Sequence, residues 1–186
     1  MLEIVGMWSN PSARLRYATT MERLVSWLTL CSVVFLPLRV SAACTSPVYS
    51  QFDFWVGHWR VTDARGKLLG YDDVTKRLDG CVVYEEYRDA IHPSLGIGMT
   101  GYEEGRGRWH QDFMDDGGFV LALDGSLQEG KMILNGTDYV NGKPRLNRGV
   151  WTRRGDEVEE LWTISLDGGR TWKTRFDGWF HRVRTR

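Results

Sequence analysis

From residue 60 onward the chain is cut at short, regular intervals by glycine-bearing turn signals. They are Ala64-Arg65-Gly66, Asp79-Gly80, Glu104-Gly105-Arg106-Gly107, Asp116-Gly117-Gly118, Asp124-Gly125, Asn135-Gly136, Asn141-Gly142, Arg154-Gly155 and Asp167-Gly168-Gly169. Glycine next to Asp or Asn supplies the positive φ that tight hairpin turns need. The intervals between these signals are rich in Val, Tyr, Trp, Phe and Thr, and none repeats apolar residues at helical spacing over several turns. The pattern predicts an antiparallel meander of about ten strands. They fall at 54–63, 69–78, 81–89, 96–103, 108–115, 119–123, 131–135, 145–152, 157–165 and 171–183.

Within these strands the side chains alternate. Trp109, Gln111 and Phe113 share one face, and Arg108, His110 and Asp112 share the other. A single open sheet of this length leaves its apolar face in water, so the meander has to stack or close on itself. The expected class is all-β, an up-and-down barrel of about eight to ten strands, which has room inside for one small ligand.

The N-terminal region reads differently. Arg23 precedes an apolar stretch over 24–38, and Ser41-Ala42-Ala43 forms a small-residue cleavage site. Ser26, Thr29, Ser32 and Pro37 interrupt the stretch, which is shorter than the roughly 20 apolar residues a membrane span needs. Residues 1–43 are therefore read as an N-terminal extension followed by a signal peptide over 21–43, with Met1 or Met21 as the start of the chain, and 44–186 as one barrel domain. The expected destination is secreted or periplasmic, with no stable membrane span after cleavage. Only Cys44 and Cys81 remain beyond the signal, which in an oxidising compartment predicts a disulfide. The same segment carries 20 basic and 22 acidic side chains, so it lacks the positive field of a nucleic-acid binder, and nucleic acid is not an expected partner.

The first strand opens with Phe52-Asp53-Phe54-Trp55-Val56-Gly57-His58-Trp59. Its Gly57-x-Trp59 core resembles the opening signature of lipocalin-like and fatty-acid-binding-like barrels. The resemblance implies that Trp59 plugs one end of the barrel beneath a basic side chain of the last strand, Arg182 or else Arg184. Over almost all of 44–186 the chain resembles a family of exported bacterial proteins of unknown function with a lipocalin-like (calycin-type) barrel. The matching pieces are Phe52 to Gly57, Asp79-Gly80-Cys81 followed by Glu85, Trp109-His110-Gln111, Met132-x-Leu134-x-Gly136, and Ser165 to Trp172 leading into Phe176-Asp177-Gly178. This resemblance implies a fold and export, and no reaction.

Ser165-x-Asp167-x-Gly169-x-Thr171-Trp172 also fits the Asp-box pattern, a turn device in which Asp167 binds turn amides and Trp172 packs beneath. It is read as structural. The four histidines are scattered without ligand spacing, so neither a metal nor a cofactor is expected. The leading functional expectation is a non-catalytic barrel that binds a small apolar or aromatic ligand. Trp109, Phe113 and Trp162 would supply apolar area, Gln111 and Arg148 would orient a polar group, and Glu85 would face inward with them. The alternatives are a barrel enzyme with Glu85 as general base, a haem protein ligated by His181, and a packed barrel serving as an envelope interaction module.

Overall fold

The structure, a computed structural model, describes residues 44–183; the expected signal segment and Arg184 lie outside the described residues. Ten strands form one closed antiparallel barrel. They are β1 (Gly57–Thr62), β2 (Leu68–Arg77), β3 (Val82–Asp89), β4 (Ser94–Glu103), β5 (Arg108–Asp115), β6 (Val120–Gln128), β7 (Lys131–Val140), β8 (Lys143–Arg154), β9 (Glu157–Ser165) and β10 (Lys173–Arg182). Each pairs with its neighbour in the chain, and β1 closes the cylinder against β10, leaving no free edge.

Two of the nine turn signals are not turns. Asp124-Gly125 lies inside β6 and Asn135-Gly136 inside β7, and both strands run on past them. A Cβ on Gly125 would overlap the Ile133 carbonyl oxygen, and one on Gly136 that of Ala122. These glycines serve close backbone approach instead of chain reversal. The β6–β7 reversal comes at Glu129-Gly130, both with positive φ, like the correctly placed Asn141-Gly142 between β7 and β8. Between β3 and β4 the turn has no glycine. There the Asp89 carboxylate accepts hydrogen bonds from the backbone N–H groups of Ile91 (2.6 Å) and His92 (2.8 Å).

The first strand starts at Gly57, not at residue 54. The residues before it form two short 3-10 turns, Pro47–Ser50 and Asp53–Trp55, that fill one end of the barrel. Phe52 and Trp55 are fully buried and stack at 5.0 Å, with Trp151 edge-on to Phe52 at 5.4 Å and Trp109 edge-on at 6.0 Å. Polar contacts fix the plug from outside. Lys76 donates to the Tyr49 carbonyl and to Asp53, Tyr49 donates to Glu104, and the Trp109 indole donates to Gln51.

Trp59 lies in the same floor. Its ring is almost fully buried, its indole N–H donates to the Trp55 carbonyl at 2.8 Å, and the Arg182 guanidinium sits 4.3 Å from the ring centroid. Arg182 also donates to the Val56 carbonyl at 3.1 Å. Gly57 is what lets these groups meet, because a Cβ there would overlap the guanidinium and stand 3.1 Å from the indole.

A disulfide joins Cys44 to Cys81, 37 residues apart, and ties the start of the plug segment to the β2–β3 turn. In the chain-entropy account a loop of this size contributes about 3 to 4 kcal/mol. Cys81→Ala is therefore expected to lower the urea midpoint by a corresponding amount, and reductant should destabilise the wild-type protein but not the variant. A wild-type midpoint indifferent to reductant would refute the link.

Candidate functional site

Inward side chains fall into three layers along the strands, because alternate residues of a strand face the same side. The floor holds Val83 of β3, Trp109 of β5, Val158 of β9 and Phe180 of β10, all buried. Two residues along each strand come Glu85, Gln111, Glu160 and Gly178. Two further on come Tyr87, Phe113, Trp162 and Phe176, all only half-buried. Above the floor is a half-open cavity of about 110 Å³ lined by the side chains of these middle and upper layers together with Phe180, Leu121, Leu123, Gly149 and Trp151.

Glycines make the room. A Cβ on Gly98 would overlap the Glu85 carboxyl, one on Gly149 would crowd the Trp151 ring, and one on Gly178 would overlap Phe176. The upper layer is an aromatic rim. Tyr87 meets Phe176 edge-on at 6.1 Å, and Phe119 bridges Phe113 at 6.4 Å and Trp162 at 5.7 Å. Trp162 is held in place by its indole N–H, which donates to Asn147 at 3.0 Å, while Asn147 donates to Asp138 at 2.7 Å.

The polar content of the interior is acidic. Glu85 is 6% exposed and Asp72 of β2 is 1% exposed, and both Asp72 oxygens lack a hydrogen-bond partner. Burial raises the Asp72 carboxyl well above the usual range, and the charges of Glu160 and Asp73 raise it further. Burial does the same to Glu85, reinforced by Asp72 and Glu160. Glu160 keeps some exposure to the cavity yet is surrounded by protein, and burial pushes its carboxyl up to about 8. The Trp151 indole N–H, which makes no hydrogen bond of normal geometry, is the group that opposes this rise. The Tyr87 hydroxyl is raised by burial and by the carboxyl groups of Asp89, Glu160, Asp72 and Glu85. The cavity lining includes no Lys, Arg, His, Ser or Cys.

Of the residues expected to face inward, Glu85, Gln111, Phe113 and Trp162 line the cavity. Trp109 is buried in the floor and packs the plug instead. Arg148 is a correction, since it is exposed on the outer face, donates to Asn135 at 3.0 Å and stacks 4.5 Å from the Trp172 ring centroid. Its parity is opposite to that of Gly149 and Trp151, which is the signal that places it outside. His181 alternates with buried Phe180, contacts Thr62 and Glu157 at 2.9 and 2.7 Å, and does not line the cavity, so it does not stand where the haem reading needs an axial ligand. Parity also had the means to find Glu160, which shares its face with Trp162, Asp72, which shares that of Val74, and Tyr87, which shares that of Glu85.

The Ser165–Trp172 segment is a self-contained turn. Asp167 accepts from the Thr171 amide (2.9 Å), the Thr171 hydroxyl (2.6 Å) and Ser165 (2.8 Å), and the Trp172 indole donates to the Gly169 carbonyl. These bonds hold the Asp167 carboxyl down to about 2. Among the described residues, no three His, Cys, Asp or Glu side chains stand close enough together to hold a metal ion. No protein-family model matches the chain, and neither does any curated protein.

Proposed function

We propose that this protein is an exported barrel of the lipocalin-like kind that holds a small, largely apolar or aromatic ligand in its interior without transforming it. The observation that carries this reading is the half-open cavity of about 110 Å³ between a sealed aromatic floor and an aromatic rim. An apolar cavity of roughly 150 Å³ accepts benzene, so this space suits one ring or a group of that size. A packed interaction module has no need of such a space. The lining sets two carboxyls and an amide among apolar rings, the few polar groups in an apolar space that a binding pocket uses to orient its guest. The Cys44–Cys81 disulfide supports export, and no helix among the described residues is long and apolar enough to cross a membrane.

Tryptophan fluorescence tests the reading, because Trp151 and Trp162 both line the cavity. Titration with single-ring aromatics, neutral and charged, should change the emission saturably for at least one of them. Trp162→Ala combined with Phe113→Ala should weaken that ligand by about tenfold or more, the equivalent of 1.4 kcal/mol. If every compound leaves the emission unchanged, and native mass spectrometry of protein from its own source shows only the bare chain, the cavity is not a binding site.

A further inference from the structure

We propose that the cavity selects a positively charged ligand, a primary ammonium group carried on a single aromatic ring, which the carboxyls of Glu85 and Glu160 bind with Asp72 behind them. This rests on the ligand-binding reading above and adds the charge of the ligand.

The interior holds acid without base. Glu85 is aimed into the cavity, and no hydrogen bond supports its charged form. Both oxygens of Asp72 are buried and unpartnered among the described residues. Glu160 completes the set, and the cavity lining supplies no cationic side chain to any of them. Buried carboxyls without partners are destabilising, and apolar side chains of similar size would hold the barrel together better. Such a set makes physical sense where a guest brings the missing charge and the missing hydrogen-bond donors.

The walls fit the same guest. Trp151, Trp162, Phe176 and Tyr87 surround the space with aromatic rings, whose π-systems can attract a cation and also accept an aromatic body. A bare metal ion fits poorly, because the three carboxyls do not converge on one point among the described residues. An ammonium group, with three N–H donors directed apart, can reach carboxyls that are spread around it. Its volume with one ring matches a cavity of about 110 Å³.

Proton balance gives the proposal its own signature. The groups that act on the three carboxyls are Asp73 of β2, Tyr87 and Arg88 of β3, and the Trp151 indole of β8, and of these only Arg88 is cationic. In the empty barrel burial and mutual repulsion therefore favour the protonated carboxyls. The incoming ammonium keeps its own protons. One carboxyl O–H bond breaks, its proton passes to solvent, and the carboxylate left behind accepts an N–H from the guest. Binding thus releases a proton, and affinity rises with pH until the amine itself loses its charge.

Titration calorimetry with benzylamine, benzyl alcohol and benzoate tests this on the wild-type protein, Glu85→Gln and Glu160→Gln. Measurements at pH 7 in phosphate and in a second buffer of different ionisation enthalpy report the protons released. Benzylamine should bind about tenfold or more tightly than benzyl alcohol with release of close to one proton, and benzoate should not bind. Either amide variant should lose about tenfold of the benzylamine affinity and keep that for benzyl alcohol. Both variants should melt no lower than wild type, which separates lost binding from lost folding. Benzyl alcohol binding as well as benzylamine, or amide variants that bind benzylamine normally, would overturn the charge assignment and leave the barrel a binder. Silence from all three probes would overturn the ligand-binding reading as well.

Discussion

Trp59→Ala is expected to destabilise the barrel by about 3 to 5 kcal/mol, the range for emptying a buried indole site. The ring is almost fully buried, it meets Phe180 edge-on at 6.3 Å, and it carries both the bond to the Trp55 carbonyl and the Arg182 stack. Its neighbours are themselves large and interlocked, with Phe52, Trp55 and Trp151 packed on one another, so the floor cannot collapse into the space. Arg182→Ala should cost only about 0.5 to 2 kcal/mol, the worth of a cation–π contact. Urea unfolding distinguishes the two as midpoint shifts at a common slope. If Trp59→Ala loses less than Arg182→Ala, the floor is not the keystone of the closed end.

The second large effect is a stability that falls as pH rises above about 5. Glu160 is pushed up to about 8 from an ordinary 4.5, and Glu85 and Asp72 are raised as well. Between those limits the folded barrel keeps a proton that the unfolded chain has already released. Stability from that proton is fully present below the unfolded value and is lost as pH climbs through the folded one. One retained proton is worth about 1.4 kcal/mol per pH unit, or a melting temperature falling on the order of 4 °C per unit. His110, raised by its hydrogen bond to Asp124, works in the same direction. On the acid side Asp73, Asp138 and Asp167 have depressed values, so their contributions vanish as pH drops below the carboxylate range. Thermal melts across pH 4 to 9 should therefore peak near 5, and Glu160→Gln should flatten the alkaline slope. A wild-type curve that rises from pH 5 to 8 would contradict the buried acids.

The sequence carried the barrel in its turns and its alternation, because hairpin chemistry and period-two burial are both local. All ten strands overlap the short β-rich intervals predicted for them, although β1 starts later and β6 and β7 run on past their expected ends, and Trp59 and Arg182 are cross-strand partners in the closing β1–β10 pair. Legibility failed where one residue type serves two physical purposes. Gly125 and Gly136 look like turn glycines but are there because another backbone comes too close for a side chain. The site was half visible for a related reason. Gln111 and Phe113 followed from the clear alternation of β5, whereas Glu160 and Asp72 are polar residues at inward positions, which composition assigns to solvent. Arg148 erred the other way, a polar residue sent inward to serve a ligand when its strand neighbours Gly149 and Trp151 already occupied that face. The plug is the least local feature of all. Nothing in Phe52 or Trp55 alone says that they fold back beneath four different strands.

That sealed floor has a kinetic consequence. With Phe52, Trp55 and Trp59 filling one end, and Cys44 bolted to Cys81 beside them, a guest of the kind proposed would have to enter and depart by the same doorway. The doorposts are the rings of Tyr87, Phe113, Phe119, Trp162 and Phe176, so the turning of a few side chains, rather than any breathing of the cylinder, would set how long such an occupant stays.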